Sequence, residues 1–193
     1  MFANRYTAPV DACSAPRRDL LLTLAEAEFF RVRWSPRILD ETRSALDKIF
    51  AERKLENASA RAGRSVDAMH RAFPEALVEA HASVAAMAFG LPDPKDEHVL
   101  TAAVQTQAQA VVTENISDFP ARILAPLNIE ARTADEFIAD TIALDEGKAV
   151  AAIRTLRVRL KRPEMSAEDY LRSLEAHGLF VTASVLSGHA DSI

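Results

Sequence analysis

A chain of 193 residues, 49% of them apolar, is long enough for one ordinary domain or one domain with an appended lobe, and it can bury a core rather than stay disordered. Its formal net charge of −5 supplies no global field to hold a nucleic acid, so such a partner requires a local basic patch or a bridging metal. The single cysteine, Cys13, excludes an internal disulfide, and no apolar run approaches the roughly 20 residues that cross a bilayer, which points to a reducing cytoplasm and no membrane.

Sparse glycine and abundant alanine favour helices with a limited sheet, so the class is α/β or all-α. Met1 is followed by polar Asn4 and Arg5, without the continuous apolar core and cleavage site of a secretory signal. A short strand is expected over Tyr6 to Cys13, with Asp11 towards its end; Pro9 argues for an edge or the beginning of pairing. From Arg18 to Glu28, Leu20, Leu21, Leu24, Ala25 and Ala27 follow helical spacing. Phe30, Val32 and Trp34 then alternate with Arg31 and Arg33 as in a half-buried strand. Ser35-Pro36 places an N-cap and a first-turn proline, and Glu41 falls in the second turn of the helix that follows.

Ala51 to Gly90 reads as two or three helices, interrupted near Gly63 and by Pro74. Leu91-Pro92-Asp93-Pro94 is a strong break before a helix carrying Val99, Leu100, Ala103 and Val104. Ala110 to Thr113 has the look of a buried parallel strand. A short helix after Pro120, a weak strand near Ile129 and a capping box at Thr133 to Glu136 follow. The rest reads as helices, broken at Gly147, at Pro163 with Ser166 as the next N-cap, and at Gly178. The expected organisation is a small α/β domain over 1–132 with a helical C-terminal extension over 133–193.

The informative pattern is where the acids fall. Asp11 ends the first strand, Glu41 lies one turn into a helix, Asp96 begins another helix, and Asp118 follows the Ala110 to Thr113 strand. In a parallel α/β sheet the carboxyl ends of strands and the adjoining helix starts face one crevice, so the four can converge. Carboxylates crowded together repel one another unless a divalent cation offsets their charge. Mg²⁺ or Mn²⁺ accepts oxygen ligands, activates a water and neutralises charge on a scissile phosphate. The five His are scattered and Cys13 stands alone, so no zinc spacing competes.

Each acid also has a structural explanation. Asp93-Pro94 resembles an N-cap followed by the first helical position, which puts Asp96 where a carboxylate complements the helix dipole. Glu41 beside Asp40 fits a solvated helix face, and Asp118 fits a loop acid. His98, next to this region, reads as structural or as a hydrogen-bonding neighbour of the site. Between Lys148 and Arg162 there are six Lys or Arg and no acid, which suits RNA phosphates, an acidic peptide, or the solvated face of a helix whose Ala149, Ile153, Leu156 and Leu160 face the core.

Four passages, in order, resemble the PIN-domain ribonucleases and within them the bacterial VapC-like toxins: Val10-Asp11-Ala12-Cys13, Trp34-Ser-Pro-Arg-Ile-Leu-Asp-Glu41, Leu91-Pro-Asp-Pro-Lys-Asp96-Glu-His-Val-Leu-Thr-Ala-Ala103 and Val112-Thr-Glu-Asn-Ile-Ser-Asp-Phe119. The resemblance covers most of residues 6 to 120 and rests on their order and spacing. It implies a PIN-like three-layer α/β/α fold with a small central parallel sheet. It also implies a metal-dependent endoribonuclease that uses Mg²⁺ or Mn²⁺ on Asp11, Glu41 and Asp96, with Asp118 and Asn115 completing or orienting the site and Thr113 in support. The partners implied are an RNA substrate, a small antitoxin protein covering the crevice, and a second copy in a homodimer. Two positions depart from the family pattern: Pro9 interrupts an otherwise aliphatic strand, and Asn115 stands where many members have Asp. They keep open the alternative of a non-catalytic PIN-like module that binds RNA or a protein.

Overall fold

The computed structural model describes residues 6–9, 15–79, 87–160 and 164–193. Its contacts divide the chain into two units. One holds β1 and Arg31–Arg132; the other holds the segment ending at Phe30 together with Thr133–Ile193.

The first unit is built on a four-stranded parallel sheet of order β2-β1-β3-β4, formed by β1 (Tyr6–Pro9), β2 (Arg31–Val32), β3 (Ala110–Val112) and β4 (Glu130–Arg132). This is the small parallel sheet of a PIN-like α/β/α fold. β1 is central, which corrects the edge position expected from Pro9. β2 pairs only with Tyr6 and Thr7, whereas β3 continues to Pro9, opposite Val112. Pro9 therefore ends the strand beyond the reach of β2, where its missing N–H removes no bond to that neighbour. β3 is buried along its length, as its continuous apolar run requires.

The expected strand from Phe29 to Trp34 is reduced to Arg31–Val32, but its alternation survives: Val32 and Trp34 are buried and Arg31 is exposed. Trp34 extends the pairing by itself, receiving Val78 N–H on its carbonyl and donating its N–H to Ala76 O, both at 2.9 Å. Its indole, fully buried, meets Phe73 edge-on at 6.1 Å.

α2 (Pro36–Glu52) starts as its sequence dictates, with Ser35 Oγ accepting from Ile38 N at 3.2 Å and Pro36 in the first turn. It packs along α3 (Ala58–Ala72), which runs unbroken through Gly63. The break expected there is absent because the glycine sits in the α2–α3 contact, close to the guanidinium of Arg43. α4 (Glu97–Gln105) packs on both β1 and β3, and the short α5 (Ala121–Leu124) packs on β4.

The second unit is helical. α1 (Ala15–Glu26) packs on α6 (Ala134–Leu144) and α7 (Glu146–Arg159), and Phe30 lies edge-on to Phe137 at 4.9 Å. The capping box forms as its spacing requires, Thr133 Oγ1 accepting from Glu136 N while Glu136 Oε2 accepts from Thr133 N. The break between α6 and α7 falls at Asp145 rather than Gly147: the Asp145 carboxylate caps Lys148 N at 3.0 Å, and the glycine lies inside the first turn that follows. α8 (Ala167–Ala176) is capped by Ser166 and is followed by Gly178, whose φ of +77° lets Gly178 N and Leu179 N bond back to Glu175 O and Leu174 O. α9 (Phe180–Ser187) packs on α6 and α8, its first N–H groups donating to the Asp135 carboxylate from Val181 and Thr182.

Along α7 the buried residues are Ala149, Val150 and Ile153, while Leu156 and Leu160 are half-buried. Of the basic run, Lys148 lies over the Phe29 ring, Arg157 donates to Met165 O and Arg159 pairs with Glu26. These contacts give much of the run a structural use; Lys161 and Arg162 lie outside the described residues. Among the described residues no helix is long and apolar enough to cross a membrane.

Candidate active site

The register between β1 and β3 sets the site. Pro9 pairs with Val112, so the carboxyl ends of these two strands lie side by side, and α4 packs over both. Asp11 is two residues beyond Pro9 in the sequence and lies outside the described residues. Asp96, half-buried, occupies the position just before α4, where a carboxylate complements the helix dipole. Asp93 is a cap, accepting from Lys95 N at 2.8 Å through Oδ1.

Glu41 projects from the second turn of α2 with about half its side chain exposed. Arg37, one turn earlier, donates from Nε to Glu41 Oε1 at 3.1 Å. His98 of α4 brings Nε2 to 3.2 Å from Glu41 Oε2, a contact that joins α2 to α4. The contact has ion-pair distance but not the alignment of a hydrogen bond, and the buried Nδ1 has no hydrogen-bond partner among the described residues. Burial of the ring holds the His98 pKa below the usual 6.5; Glu41 opposes that shift and Arg37 reinforces it. His98 is thus held mainly as neutral imidazole beside the carboxylate.

After β3, Thr113 is buried, donates its N–H to Arg132 O at 2.8 Å, and accepts Asn115 N–H on Oγ1 at 3.0 Å. The hydroxyl serves the backbone, and through it fixes the turn that carries Asn115. The Asn115 amide donates to Asp118 Oδ2, and its carbonyl oxygen accepts from Ser117 Oγ at 2.9 Å. Asn115 and Asp118 therefore form one unit at the end of β3, with Asn115 orienting the acid.

The structure joins Glu41 with His98, and Asp118 with Asn115. Among the described residues no three His, Cys, Asp or Glu side chains converge as a metal cage. The donors among the described residues, carboxylate oxygens at a helix start and beyond a strand end with the His98 imidazole next to Glu41, are nonetheless chemically suited to a hard cation.

Sequence reasoning missed two groups. Arg37 was readable from its four-residue spacing to Glu41. Glu97 was not: its carboxylate accepts from Phe89 N, Gly90 N and Leu91 N at 2.8–2.9 Å, clamping the chain that leads into the Asp93 to Asp96 turn. That use of both oxygens separates it from the neighbouring Asp96.

The PIN domain family matches residues 8–117, more than half of the chain, and the VapC50 C-terminal domain family matches residues 134–188. The chain is similar to the protein named "Putative ribonuclease VapC50" of Mycobacterium tuberculosis (strain ATCC 25618 / H37Rv), at 42% identity over 59 residues, which is 31% of this chain and 35% of that protein. The match thus spans about a third of that relative's length. No solved structure matches the chain.

Proposed function

The chain belongs to the PIN-domain family, VapC-like in type, and on that premise we propose that it is a metal-dependent endoribonuclease that hydrolyses RNA phosphodiester bonds as the toxin of a type II toxin–antitoxin pair. The observation that carries the reading is the pairing of Pro9 with Val112 beneath α4. It sets the carboxyl ends of β1 and β3 against the helix introduced by Asp96, and the Glu41–His98 contact adds α2 to the same face.

In this reading Asp11, Glu41 and Asp96 hold Mg²⁺ or Mn²⁺, and Asp118, oriented by Asn115, is the fourth acid. A bound ion supplies an activated water and offsets charge on the phosphate. Glu41 is presented by Arg37 and His98, and Thr113 holds the Asn115 turn. The nuclease sheet and its acids fall within residues 1–132, and residues 133–193 are the helical extension, which α1 joins in the second unit. The working partners are RNA, a small antitoxin that covers the crevice, and a second copy in a homodimer, all in the cytoplasm.

The test is metal titration followed by heating. A metal-holding carboxylate site raises the melting temperature with Mg²⁺ or Mn²⁺, and purified protein cuts RNA until EDTA is added. The non-catalytic module, favoured by Asn115 in place of Asp, gives neither response. A short open reading frame for an antitoxin beside the gene supports the toxin assignment.

A further inference from the structure

Glu97, the first residue of α4, turns its carboxylate back onto the chain that leads into the helix. Oε1 accepts from Gly90 N at 2.8 Å and Leu91 N at 2.9 Å, and Oε2 accepts from Phe89 N at 2.9 Å. Successive N–H groups converging on one anion form a concave nest, which requires a residue in the left-handed conformation. Gly90 is that residue, with φ +78°, and the space where its Cβ would stand is open. Between the nest and the helix runs Pro92-Asp93-Pro94-Lys95-Asp96, in which the two prolines fix φ. This stretch also closes on Asp93: Lys95 N donates to Asp93 Oδ1 at 2.8 Å and Asp96 N donates to Asp93 O at 3.1 Å. Asp96 is thus held from before by the Asp93 turn and from after by the grip of Glu97.

We propose that Glu97 is a positioning residue: by gripping the Phe89, Gly90 and Leu91 amides it fixes the turn that presents Asp96 to the metal ion, without touching the ion itself. The inference rests on the nuclease reading and adds to it a residue that acts through Asp96. A ligand carboxylate held near its bound place before the ion arrives spares the binding energy that ordering the turn would consume. The two carboxylate oxygens satisfy all three convergent donors. An amide in the same place keeps one oxygen for Gly90 and Leu91 but sets its NH₂ group against Phe89 N–H. Because both oxygens of Glu97 are committed to backbone, its chemistry differs from that of the neighbouring Asp96 although the two acids adjoin in sequence.

The experiment titrates the whole chain with Mn²⁺, reading the rise in melting temperature, and follows amide hydrogen exchange at Phe89, Gly90 and Leu91 in EDTA. Glu97→Ala is expected to speed that exchange and to weaken Mn²⁺ binding by about 10–100-fold, the scale for residues that orient metal ligands. Glu97→Gln, which retains the bonds from Gly90 and Leu91, should fall between parent and Glu97→Ala. Gly90→Ala leaves every carboxylate in place, meets no neighbouring atom and strains only the backbone. It should weaken Mn²⁺ in the same direction, and add little to the loss when combined with Glu97→Ala. Saturating Mn²⁺ should restore RNA cleavage to Glu97→Ala but not to Asp96→Asn, which lacks a ligand. Glu97→Ala protein that binds Mn²⁺ like the parent overturns the inference and leaves the nuclease reading standing. A loss in Glu97→Ala with a silent Gly90→Ala also overturns it, since Glu97 would then be a ligand. A parent with no response to Mn²⁺ sinks the nuclease reading and the inference with it.

Discussion

Glu41 Oε2 and His98 Nε2 stand 3.2 Å apart, one from α2 and the other from α4, and this contact positions a proposed metal ligand from outside its own helix. Residues that orient metal ligands typically matter to about 10–100-fold in affinity or activity. His98→Ala is therefore expected to lower metal-dependent cleavage by about that factor. Circular dichroism of the folded variant checks that the loss is local, and unchanged kinetics would remove His98 from any positioning role.

Asn115 donates to Asp118 where many family members carry a second acid. Asn115→Asp replaces that hydrogen bond with two like charges. In EDTA the variant should melt below the parent, and added Mg²⁺ or Mn²⁺ should raise its melting temperature by more than the parent's. Equal responses to metal in both proteins would separate Asn115 and Asp118 from the ion.

Gly63 lies inside α3, and a Cβ there would meet Arg43 Nη2 at 3.8 Å, an ordinary contact. Gly63→Ala should stabilise by about 0.5–1 kcal/mol, through backbone entropy in a helix interior. Urea unfolding of parent and variant measures it; a destabilised variant would mean that the α2–α3 contact needs the bare backbone.

Tyr170 is buried, and its hydroxyl has no hydrogen-bond partner among the described residues. Burial, aided by Asp19, pushes its pKa well above the usual 10.0. The sign follows: below pH 10 the phenol is neutral in both states, and above it the unfolded chain ionises first, so stability is lost as pH rises. Tyr170→Phe should keep the stability of the parent near neutral pH and lose less of it above pH 10, as read by denaturant midpoints across that range.

Most of the fold was legible because its signals are local. Ser35-Pro36, Thr133 to Glu136 and Ser166 are caps whose chemistry involves only neighbouring residues, and all three form. The failures have a tertiary origin. Pro9 suggested an edge, yet strand order depends on the partners of Tyr6 and Thr7; Gly63 suggested a break, yet its helix is held by α2. α1 contacts α6 and α7, far away in sequence, which no local pattern announces. At the site, the helix positions of Glu41 and Asp96 were readable, whereas the Glu41–His98 contact depends on the packing of two helices. Asp11 lies outside the described residues, so its place rests on the family pattern.

The most direct test of the central claim is RNA cleavage by purified parent, Asp11→Asn and Asp96→Asn proteins, each with Mg²⁺ or Mn²⁺ and again with EDTA. The expected result is cleavage by the parent that stops with EDTA and falls by roughly 100-fold or more in both variants, because each loses a ligand charge from the proposed ion. Variants that cut as fast as the parent, or cleavage that persists in EDTA, would contradict it.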